Sequence, residues 1–460
     1  MLKKQRSIAV IGAGITGLTA AFYLKRKGIS VTLFESGNRA GGVIGSIRRD
    51  GFLAEAGPNT LLETSSKIRQ LIEDAGLMGR RLEPDPKAEA RYVVRYGRPI
   101  EMPASVPGFF ITPLFTMGAK FAVMREPFMP RRVDGPEESI AQFVIRRLNQ
   151  EFLDHAIDAL VAGIYAGDPY KLSLTHAFPR LKYQEDRFGS LIRGQILGGR
   201  ERKKSGEVAR DRAPKFSFDE GLQVMTDELA SQLGDFLKLN TAVDQLTQTY
   251  SGWMVKTASG NFEFDSVVYC GTAHKLSELK IQSAQPVDVS PFSEIRHPPV
   301  ASVALGFRRE DVAHACDGFG MLIPKVEGFK TLGTIFSSSL FPNRAPEGHL
   351  LLTTYVGGER YPQYASLPGD ELVELTLQDL RKLLGVRGKP VFRNLTYWPK
   401  AIPQYNVGYG KYRDLLSTIE TKCPGLHFAG HYRDGVSLGD SIVSGVNMAA
   451  QLTEAPVLQK

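Results

Sequence analysis

Residues 8–42 read IAVIGAGITGLTAAFYLKRKGISVTLFESGNRAGG, and the other segments of the chain can be arranged around them. The apolar run Ile8–Ile11 predicts a buried parallel strand, and the stretch up to about Arg26 predicts a helix packed behind it. The turn between them carries three glycines with the spacing G-x-G-x-x-G: Gly12, Gly14 and Gly17. A strand, a glycine turn and a helix in this order are typical of a dinucleotide-binding unit.

Each glycine has its own physical role in that turn. Gly12 permits the tight change of direction, Gly14 lets a pyrophosphate approach the backbone, and Gly17 lets the helix pack closely on the strand. The start of the helix adds free N–H groups and the positive end of the helix dipole. The backbone predicted to hold the pyrophosphate is that of Gly12, Ala13, Gly14, Ile15, Thr16 and Gly17.

An acidic residue follows at the position where such units bind a ribose. Val31–Phe34 predicts a second strand, and Glu35 comes directly after it, eighteen positions beyond Gly17 (35 − 17 = 18). Its carboxylate can accept hydrogen bonds from both ribose hydroxyls and would repel a 2′-phosphate. These residues therefore predict an adenine dinucleotide without a 2′-phosphate.

The residues after Glu35 favour FAD over NAD. Ser36 and Arg39 precede a second glycine turn at Gly41–Gly42, where the longer pyrophosphate–flavin arm of FAD would pass. The alternative is a plain surface turn. A further turn at Gly57–Thr60 could present backbone amides to a bound ring, and its alternative is the simple start of the next helix.

The composition limits the classes of partner. With 460 residues, 42% hydrophobic and 23% charged, the chain is long enough for roughly two or three domains with large cores. Its formal charge of +8 suits nucleic acid, an anionic membrane face or an acidic substrate. No zinc-ligand spacing, basic helix or aromatic–basic sheet motif accompanies the charge, which argues against nucleic acid. Cys270, Cys316 and Cys423 are far apart; they predict neither a disulfide framework nor a metal site, and fit a reducing compartment.

One apolar stripe leaves membrane contact open. On helical spacing, Lys120 and Arg125 lie off a face formed by Leu114, Met117, Phe121 and Met124. Such a face can enter a membrane interface, although packing into a core is its commoner fate. The chain has no run of eighteen uninterrupted apolar residues, so no membrane-spanning helix is predicted.

The later segments predict a return to the first sheet and a second, separate sheet. Residues 267–270 and 426–429 read as buried strands that rejoin the nucleotide-binding sheet. Several alternating stretches between 300 and 397 predict one antiparallel sheet, covered by a helix over 372–384. The charged run 199–212 predicts a surface loop.

Four further stretches carry a resemblance to a known family. They are ARYV at 90–93, GIYAGDPYKLS at 163–173, TLGTIFSSSLFPNR at 331–344 and WPKAIPQ at 398–404. Together with the glycine-rich start, they resemble the oxygen-dependent protoporphyrinogen oxidases, above all the plant-type enzymes, within the wider group of amine oxidases and carotenoid desaturases. The third stretch discriminates best, because generic flavin oxidases lack it.

The resemblance runs nearly end to end and implies a fold of the α/β plus α+β class. A Rossmann-like, p-hydroxybenzoate-hydroxylase-like FAD-binding domain would take residues 1–84, 213–290 and 398–460. An antiparallel-sheet substrate-binding domain would take residues 85–104 and 291–397. A helical membrane-associating domain would take residues 105–212.

The resemblance also implies roles for individual residues. Arg91 would hold a propionate of the tetrapyrrole, with Gly167 beside it. Leu322 and Phe341 would sandwich a ring, and Asn59 would make a polar contact near the reacting edge. FAD would be bound non-covalently by Gly12–Gly17, Glu35, Ser36, Arg39, Gly42, Val43, Gly57, Pro58, Asn59, Thr60, Val243, Trp398, Val436, Ser437 and Leu438.

The implied reaction is the FAD-mediated six-electron oxidation of protoporphyrinogen IX to protoporphyrin IX in haem biosynthesis. FAD accepts two electrons at a time, so three rounds are needed, and molecular oxygen takes the electrons and leaves as hydrogen peroxide. The implied setting is the cytoplasm, with peripheral contact on the inner face of the cell membrane. This chemistry requires no metal and no nucleophile–base arrangement, and the scattered histidines are interpreted as structural.

Three alternative functions stay open on the sequence. Coproporphyrinogen III, oxidised to coproporphyrin III, is the second candidate substrate. An amine oxidase or desaturase on the same fold is another, although Cys423 is badly placed for a covalent flavin. The third is a non-catalytic porphyrin or haem carrier that keeps FAD as a structural prop. The sequence does not fix the electron acceptor or the oligomeric state, and a homodimer is consistent with it.

Overall fold

The computed structural model describes residues 6–205 and 213–454, and of residues 199–205 it describes the backbone alone. The strands are β1 (Ser7–Ile11), β2 (Ser30–Phe34), β3 (Ser46–Arg49), β4 (Phe52–Glu55), β5 (Leu61–Leu62), β6 (Arg81–Leu82), β7 (Ala90–Arg95), β8 (Arg98–Glu101), β9 (Lys215–Phe218), β10 (Leu237–Lys238), β11 (Val243–Thr249), β12 (Gly252–Thr257), β13 (Gly260–Phe264), β14 (Ser266–Tyr269), β15 (Lys280–Gln282), β16 (Val300–Arg308), β17 (Gly318–Leu322), β18 (Thr331–Ile335), β19 (His349–Gly357), β20 (Phe392–Trp398) and β21 (Leu426–Phe428). The helices are α1 (Ile15–Arg26), α2 (Ser66–Asp74), α3 (Val106–Ile111), α4 (Met117–Arg125), α5 (Ile140–Arg147), α6 (Gln150–Phe152), α7 (Asp158–Tyr165), α8 (Leu174–Ala177), α9 (Pro179–Phe188), α10 (Leu191–Ser205), α11 (Gln223–Leu233), α12 (Ala273–Leu276), α13 (Ser337–Leu340), α14 (Pro362–Ala365), α15 (Gly369–Leu384), α16 (Gly410–Lys422) and α17 (Leu438–Glu454).

The glycine-rich start forms the centre of a five-stranded sheet in the order β10-β2-β1-β14-β21, in which every neighbouring pair is parallel. Strand β1 is buried on both faces, with Ile8 and Val10 on one side and Ala9 and Ile11 on the other. Because helices α1, α11 and α17 cover the first side and a second sheet covers the other, the strand reads as a continuous apolar run. The predicted order of strand, turn, helix and strand is confirmed.

The last helix, α17, returns to the first helix of the chain. Gly445 allows this, because a Cβ there would lie 2.5 Å from the carbonyl oxygen of Thr16. On the other face, β13-β12-β11-β15 form a four-stranded sheet that buries Trp253. The indole N–H of Trp253 donates to the carbonyl oxygen of Pro424 at 3.0 Å. Strand β1, the segment after residue 213 and helix α17 therefore pack together on the two faces of the five-stranded sheet.

A seven-stranded sheet, β20-β16-β19-β18-β17-β7-β8, forms the second layer. The prediction of an antiparallel sheet is wrong at one pair, because β17 and β7 run parallel. Strand β7 arrives from a distant part of the chain, so no hairpin turn forces it to run antiparallel to β17. Helix α15 packs on this sheet as predicted, with Leu377 and Leu380 in one buried cluster with Val303 and Leu305.

Helices α3 to α10 form a third region beside the sheets. A π-helical turn at Leu153–Ile157 joins α6 to α7. The prediction of a surface loop over 199–212 is wrong for residues 199–205, which belong to α10, since arginine, lysine and glutamate favour helix intrinsically; residues 206–212 lie outside the described residues. Within 6–205 and 213–454, no helix combines the length and the apolar character needed to cross a membrane. The division into three domains stays a prediction.

The apolar stripe of α4 lies on the surface of this region. Leu114 is buried, whereas three of the four predicted members are 48–59% exposed: Met117, Phe121 and Met124. Lys120 is buried on the opposite side, and its ammonium group donates to the carbonyl oxygens of Phe110 and Thr112, each at 2.8 Å. Those carbonyls end helix α3 and would otherwise need another donor. A lysine thus joins two helices while their apolar side chains face outward.

Candidate cofactor and substrate site

The glycine-rich turn after β1 is built by close backbone contacts. Gly12 has a φ of +98°, and a Cβ there would lie 3.0 Å from the nitrogen of Gly271, in the turn after β14. A Cβ on Gly17 would lie 2.0 Å from the carbonyl oxygen of Gly12. Neither position can carry a side chain unless backbone moves, so the turn, helix α1 and strand β14 fix one another.

Gly14 faces open space. Apart from its neighbours in the chain, no described atom lies within 4 Å of the place where its Cβ would stand. Gly14 begins α1 without a side-chain cap, and the first turn of α1 carries no acidic residue. The free N–H groups and the positive end of the helix dipole therefore suit a bound diphosphate. We call the open space beside Gly14 the cofactor cleft.

Glu35 lies beside this turn at the end of β2. One carboxylate oxygen accepts from the N–H of Ala13 and the other from the N–H of Gly37, each at 2.8 Å. The oxygen that accepts from Ala13 has a further lone pair, so the group can also accept from a ribose hydroxyl. The carbonyl oxygen of Glu35 accepts from the N–H of Thr241 at 2.7 Å, which brings the nearby Val243 to the same end of the cleft.

Arg39 braces the second glycine turn. Its guanidinium donates to the carbonyl oxygen of Gly42 at 2.7 Å and to two further carbonyls of the same turn. Gly42 has a φ of +59°, and a Cβ on it would lie 3.4 Å from the Cα of Gly14, so the second turn closes over the first. Ser36 is exposed and donates to Glu35 at 3.3 Å. Arg39 shapes the cleft through backbone carbonyls, and its contact with the cofactor stays a prediction.

A third turn, at residues 57–60, meets the second. A Cβ on Gly57 would lie 2.3 Å from the carbonyl oxygen of Val43, so no larger residue fits there. The indole N–H of Trp398 donates to the carbonyl oxygen of Ala56 at 3.0 Å. Three segments that are far apart in the sequence therefore meet at one side of the cofactor cleft.

Asn59 connects the cofactor cleft to the seven-stranded sheet. Its buried amide N–H donates to the hydroxyl of Tyr355 at 2.7 Å, and that hydroxyl donates to the carbonyl oxygen of Gly57 at 3.2 Å. The hydroxyl of Ser337 donates to the amide oxygen of Asn59 at 3.4 Å. Burial raises the pKa of Tyr355, so its hydroxyl stays protonated. Sequence analysis missed Tyr355, because only the position of β19 brings it to Asn59.

Two positions around the predicted substrate site lie on α7 and in the turn after it. Gly163 is exposed, and a Cβ there would lie 2.7 Å from a methyl group of Leu322 on β17. Gly167 is buried, and a Cβ there would lie 2.5 Å from the amide oxygen of Gln404. Close packing against Gln404 is therefore sufficient to require glycine at 167, and its contact with a substrate stays a prediction.

Leu322 and Phe341, predicted to sandwich a ring, lie in different surroundings. Phe341 is buried with Leu340 and Ala88, and the guanidinium of Arg344 lies 5.1 Å from the centre of its ring. None of the contacts described for residues 6–205 and 213–454 joins Phe341 to Leu322. Since a ring held between them would separate the two side chains, the sandwich stays a prediction.

Arg91 lies on β7, where its backbone pairs with Gly320 of β17. Lys215 of β9 is a cationic neighbour: burial lowers the pKa of Lys215 and the charge of Arg91 lowers it further, while Glu89 acts in the opposite direction. Two basic side chains thus lie within electrostatic range of each other, one on the seven-stranded sheet and the other on β9 of the three-stranded sheet β5-β9-β6. A carboxylate bound there would relieve their repulsion. No pattern in the sequence pointed to Lys215.

The loop before α17 is capped from within. The N–H of Ser437 donates to the carboxylate of Asp440 at 3.2 Å, and the N–H of Asp440 donates to the hydroxyl of Ser437 at 3.1 Å. This reciprocal capping fixes the start of the helix. Of the three amides predicted to face the cofactor, the one at Ser437 is engaged by Asp440, with Val436 and Leu438 on either side.

Three histidines that are scattered in the sequence come together beside this loop. The ring centres of His274 and His297 are 5.1 Å apart, and His431 lies within electrostatic range of both. Burial lowers the pKa of His274 and of His431 to about 4, so both rings are neutral near pH 7. In the described part of the chain, no three histidine, cysteine or acidic side chains are arranged to hold a metal ion. Neutral, packed rings agree with the structural role expected for them.

The family model for flavin containing amine oxidoreductases matches residues 15–453. This chain belongs to that family. Protoporphyrinogen oxidase 2, chloroplastic/mitochondrial, of Arabidopsis thaliana is 35% identical over 96% of this chain and 93% of its own length. Coproporphyrinogen III oxidase of Bacillus subtilis (strain 168) is 29% identical, over 96% of each chain. A solved structure from Exiguobacterium sp. 255-15, provisionally assigned as a protoporphyrinogen oxidase, shares the fold, with a TM-score of 0.81, 22% identity, and coverage of 97% of this chain and 98% of its own.

The family and the geometry of the cleft agree on the cofactor of this flavin amine oxidoreductase. The family contains a flavin, and the glycine turn, the helix start and Glu35 fit the adenine dinucleotide part of one. FAD is the flavin that has such a part, so FAD is the cofactor. The resemblance that the sequence motifs indicated is confirmed at the level of the family.

Replacing Glu35 by alanine should weaken FAD binding. The change removes the ribose acceptor and frees the N–H groups of Ala13 and Gly37, so we expect the Kd for FAD to rise about 10- to 150-fold, the range of about 1.5–3 kcal/mol for hydrogen bonds to a charged group. Titration of apoprotein with FAD, followed by flavin fluorescence, measures this. Glu263→Ala, at an exposed position on β13, is the matched control. An unchanged Kd for Glu35→Ala contradicts the ribose assignment.

Proposed function

We propose that this protein is an oxygen-dependent protoporphyrinogen IX oxidase. It converts protoporphyrinogen IX to protoporphyrin IX for haem synthesis, with oxygen as the electron acceptor and hydrogen peroxide as the second product. The bound FAD supplies two-electron oxidation, so three rounds complete the six-electron reaction. The observation that carries the proposal is the likeness to protoporphyrinogen oxidases over nearly the whole of both chains, at 35% identity.

The polar groups where the cofactor cleft meets the seven-stranded sheet already have partners within the chain, which supports a substrate with a mostly apolar body. The cofactor cleft meets the seven-stranded sheet at the Asn59–Tyr355 pair, where the polar groups are fixed by hydrogen bonds within the chain. On α7, the missing side chain of Gly163 lets the apolar side chain of Leu322 pack closely, because a Cβ there would lie 2.7 Å from a Leu322 methyl group. Positioning the substrate and excluding water are the tasks left to the protein when a cofactor performs the redox chemistry.

Coproporphyrinogen III is the second candidate substrate, and the Bacillus subtilis relative supports it. We expect protoporphyrinogen IX to give the higher kcat/KM, by at least about tenfold, because the protoporphyrinogen oxidases show the higher identity to this chain. Fluorescence of the two porphyrin products measures both rates, and protein stripped of FAD corrects for spontaneous oxidation in air. A preference for coproporphyrinogen III selects the alternative, and no flavin-dependent oxidation of either substrate contradicts both.

Arg91 on β7 and Lys215 on β9 support binding of a propionate. Both are cationic, and the pKa of Lys215 is lowered by burial and by the charge of Arg91, which is the electrostatic setting that a carboxylate stabilises. Arginine binds a carboxylate with two parallel hydrogen bonds, so it suits the primary contact. We assign this contact to Arg91.

Replacing Arg91 by alanine should raise KM for the porphyrinogen about 10- to 150-fold, the effect of about 1.5–3 kcal/mol for a charge-assisted hydrogen bond. Steady-state kinetics at saturating oxygen separates this rise from any change in kcat. Arg98→Ala, on the exposed end of the same hairpin, is the control and should leave KM unchanged. Equal KM values for Arg91→Ala and the native protein refute the propionate contact.

We also propose that the protein works in the cytoplasm and rests on the inner face of the cell membrane. What supports membrane contact is an exposed apolar face on α3, α4 and the turn after them, formed by Val106, Ile111, Met117, Phe121, Met124 and Phe128. Arg125 and Arg131 are exposed beside this face and would attract anionic lipid head groups. The three cysteines are free and buried, which fits a reducing compartment.

The apolar face should carry the protein to anionic vesicles. We expect flotation with phosphatidylserine-containing liposomes at low salt and loss of part of the bound fraction as salt is raised, because the arginine contribution is screened. The double change Ile111→Asp with Phe121→Asp should abolish flotation. Tyr250→Asp, at a fully exposed residue between β11 and β12, should not change it. Failure of the native protein to float at low salt removes the membrane from the proposal.

A further inference from the structure

One short segment, residues 404–409, touches both the substrate turn and the cofactor loop. It follows β20, and three of its side chains are almost wholly buried, with 2% exposure for Gln404 and 1% each for Tyr405 and Tyr409. We call Gln404, Tyr405 and Tyr409 the strut. The proposed reaction does not use these groups directly, yet each makes a hydrogen bond at an irregular part of the site.

On the substrate side, Gln404 holds the end of α7. Its amide N–H groups donate to the carbonyl oxygens of Tyr165 at 2.8 Å and Ile402 at 3.0 Å. Both donors are engaged, so a flipped amide would turn its oxygen against two carbonyls. The amide oxygen therefore points at Gly167, where only a glycine fits, and no donor among the described residues reaches it.

The backbone next to Gln404 strengthens this contact. The N–H of Ser173 donates to the carbonyl oxygen of Tyr405 at 2.8 Å, and the N–H of Val407 donates to the carbonyl oxygen of Lys171 at 2.9 Å. These bonds make a short ladder between the strut and the segment that follows Gly167. The turn at 165–173 is thus held from one side by the strut.

On the cofactor side, the two tyrosines hold the loop before α17. The hydroxyl of Tyr405 donates to the carbonyl oxygen of His431 and accepts from the N–H of Gly435 at 3.1 Å. The hydroxyl of Tyr409 donates to the carbonyl oxygen of Tyr432 at 2.5 Å. Burial raises the pKa of Tyr405 and of Tyr409, so both remain donors throughout the physiological range.

The loop needs such partners because its backbone is irregular. Gly430 and Gly435 have φ values of +123° and +128°, which takes both out of any strand or helix. Buried backbone groups without partners are destabilising, and the Tyr405 hydroxyl satisfies one carbonyl and one N–H at opposite ends of the loop. The loop leads directly into Val436 and Leu438, whose amides are predicted to face the flavin.

We propose that Tyr405 is a positioning residue for the flavin and that Gln404 is a positioning residue for the substrate. The strut thereby sets the position of the flavin relative to the substrate. The proposal rests on the proposed porphyrinogen oxidase function. Tyr405 fixes the loop before α17, which lies against the start of α1, since a Cβ on Gly430 would lie 3.8 Å from the hydroxyl oxygen of Thr16. The adjacent Gln404 fixes the turn beside the predicted substrate position. Neither residue is proposed to contact the flavin or the substrate. A change at Gln404 or Tyr405 should therefore shift the flavin relative to the substrate indirectly.

Tyr405→Phe tests the cofactor half, with Tyr412→Phe as the matched control. Tyr412 belongs to the same run of aromatic residues, but its hydroxyl donates to Glu294, away from the loop. We expect Tyr405→Phe to raise the Kd for FAD at least about tenfold, because it removes two hydrogen bonds that hold the loop, and to shift the visible flavin spectrum. Amide hydrogen exchange should quicken over 430–438. Tyr412→Phe should change none of these.

Gln404→Leu tests the substrate half. We expect KM for protoporphyrinogen to rise about tenfold and amide hydrogen exchange over 165–173 to become faster. The Kd for FAD should stay within about twofold of the native value. If the strut acts as one unit, the double variant Gln404→Leu with Tyr405→Phe should have effects on kcat/KM that are not the product of the single effects.

The outcomes separate this inference from the proposed function. If Tyr405→Phe and Tyr412→Phe have the same FAD affinity, flavin spectrum and amide exchange, the positioning role of the strut is refuted. Porphyrinogen turnover by the native protein would still support the enzyme function. The positioning role is also refuted if amide exchange becomes faster over the whole chain and not only over residues 165–173 and 430–438. Native protein that binds FAD but oxidises no porphyrinogen overturns the function, and the FAD affinity and exchange of Tyr405→Phe still decide the cofactor half.

Discussion

The missing side chain at Gly17 is the constraint on which the site depends. A Cβ there would lie 2.0 Å from the carbonyl oxygen of Gly12, so only glycine lets helix α1 lie this close to the turn. That packing opens the N-terminus of α1 beside Gly14, with its N–H groups free for a diphosphate. It also brings the N–H of Ala13 within 2.8 Å of the Glu35 carboxylate, so the same contact joins the predicted phosphate and ribose positions.

The second requirement is that the cofactor cleft and the seven-stranded sheet keep a fixed distance. Partly buried hydrogen bonds between distant segments supply it: Asn59 to Tyr355, Trp398 to Ala56, and Tyr405 to the loop before α17. A two-electron transfer between a flavin and a large substrate depends on such placement, because an error of about 1 Å can lower the rate strongly. The chain contributes position to the reaction, and the flavin contributes the redox chemistry.

Local features could be predicted from the sequence, because they depend on neighbouring residues. The strand, glycine turn, helix and Glu35 were all found in this way. Partners brought by distant strands could not be predicted: Tyr355 meets Asn59 only through the position of β19, and Lys215 meets Arg91 only where two sheets adjoin. The helical spacing of apolar residues in α4 predicted an apolar face, but it did not predict whether that face is exposed. The face points outward because Lys120, on the opposite side of the helix, is buried against the end of α3.

The central claim is that FAD bound beside Gly14 is reduced directly by a porphyrinogen held against the seven-stranded sheet. The most direct measurement is an anaerobic titration of the purified protein with protoporphyrinogen IX, followed in the visible absorption band of the flavin. We predict that the band is bleached as porphyrin forms and returns fully when air is admitted. A flavin band that stays unchanged in the presence of excess protoporphyrinogen contradicts the account.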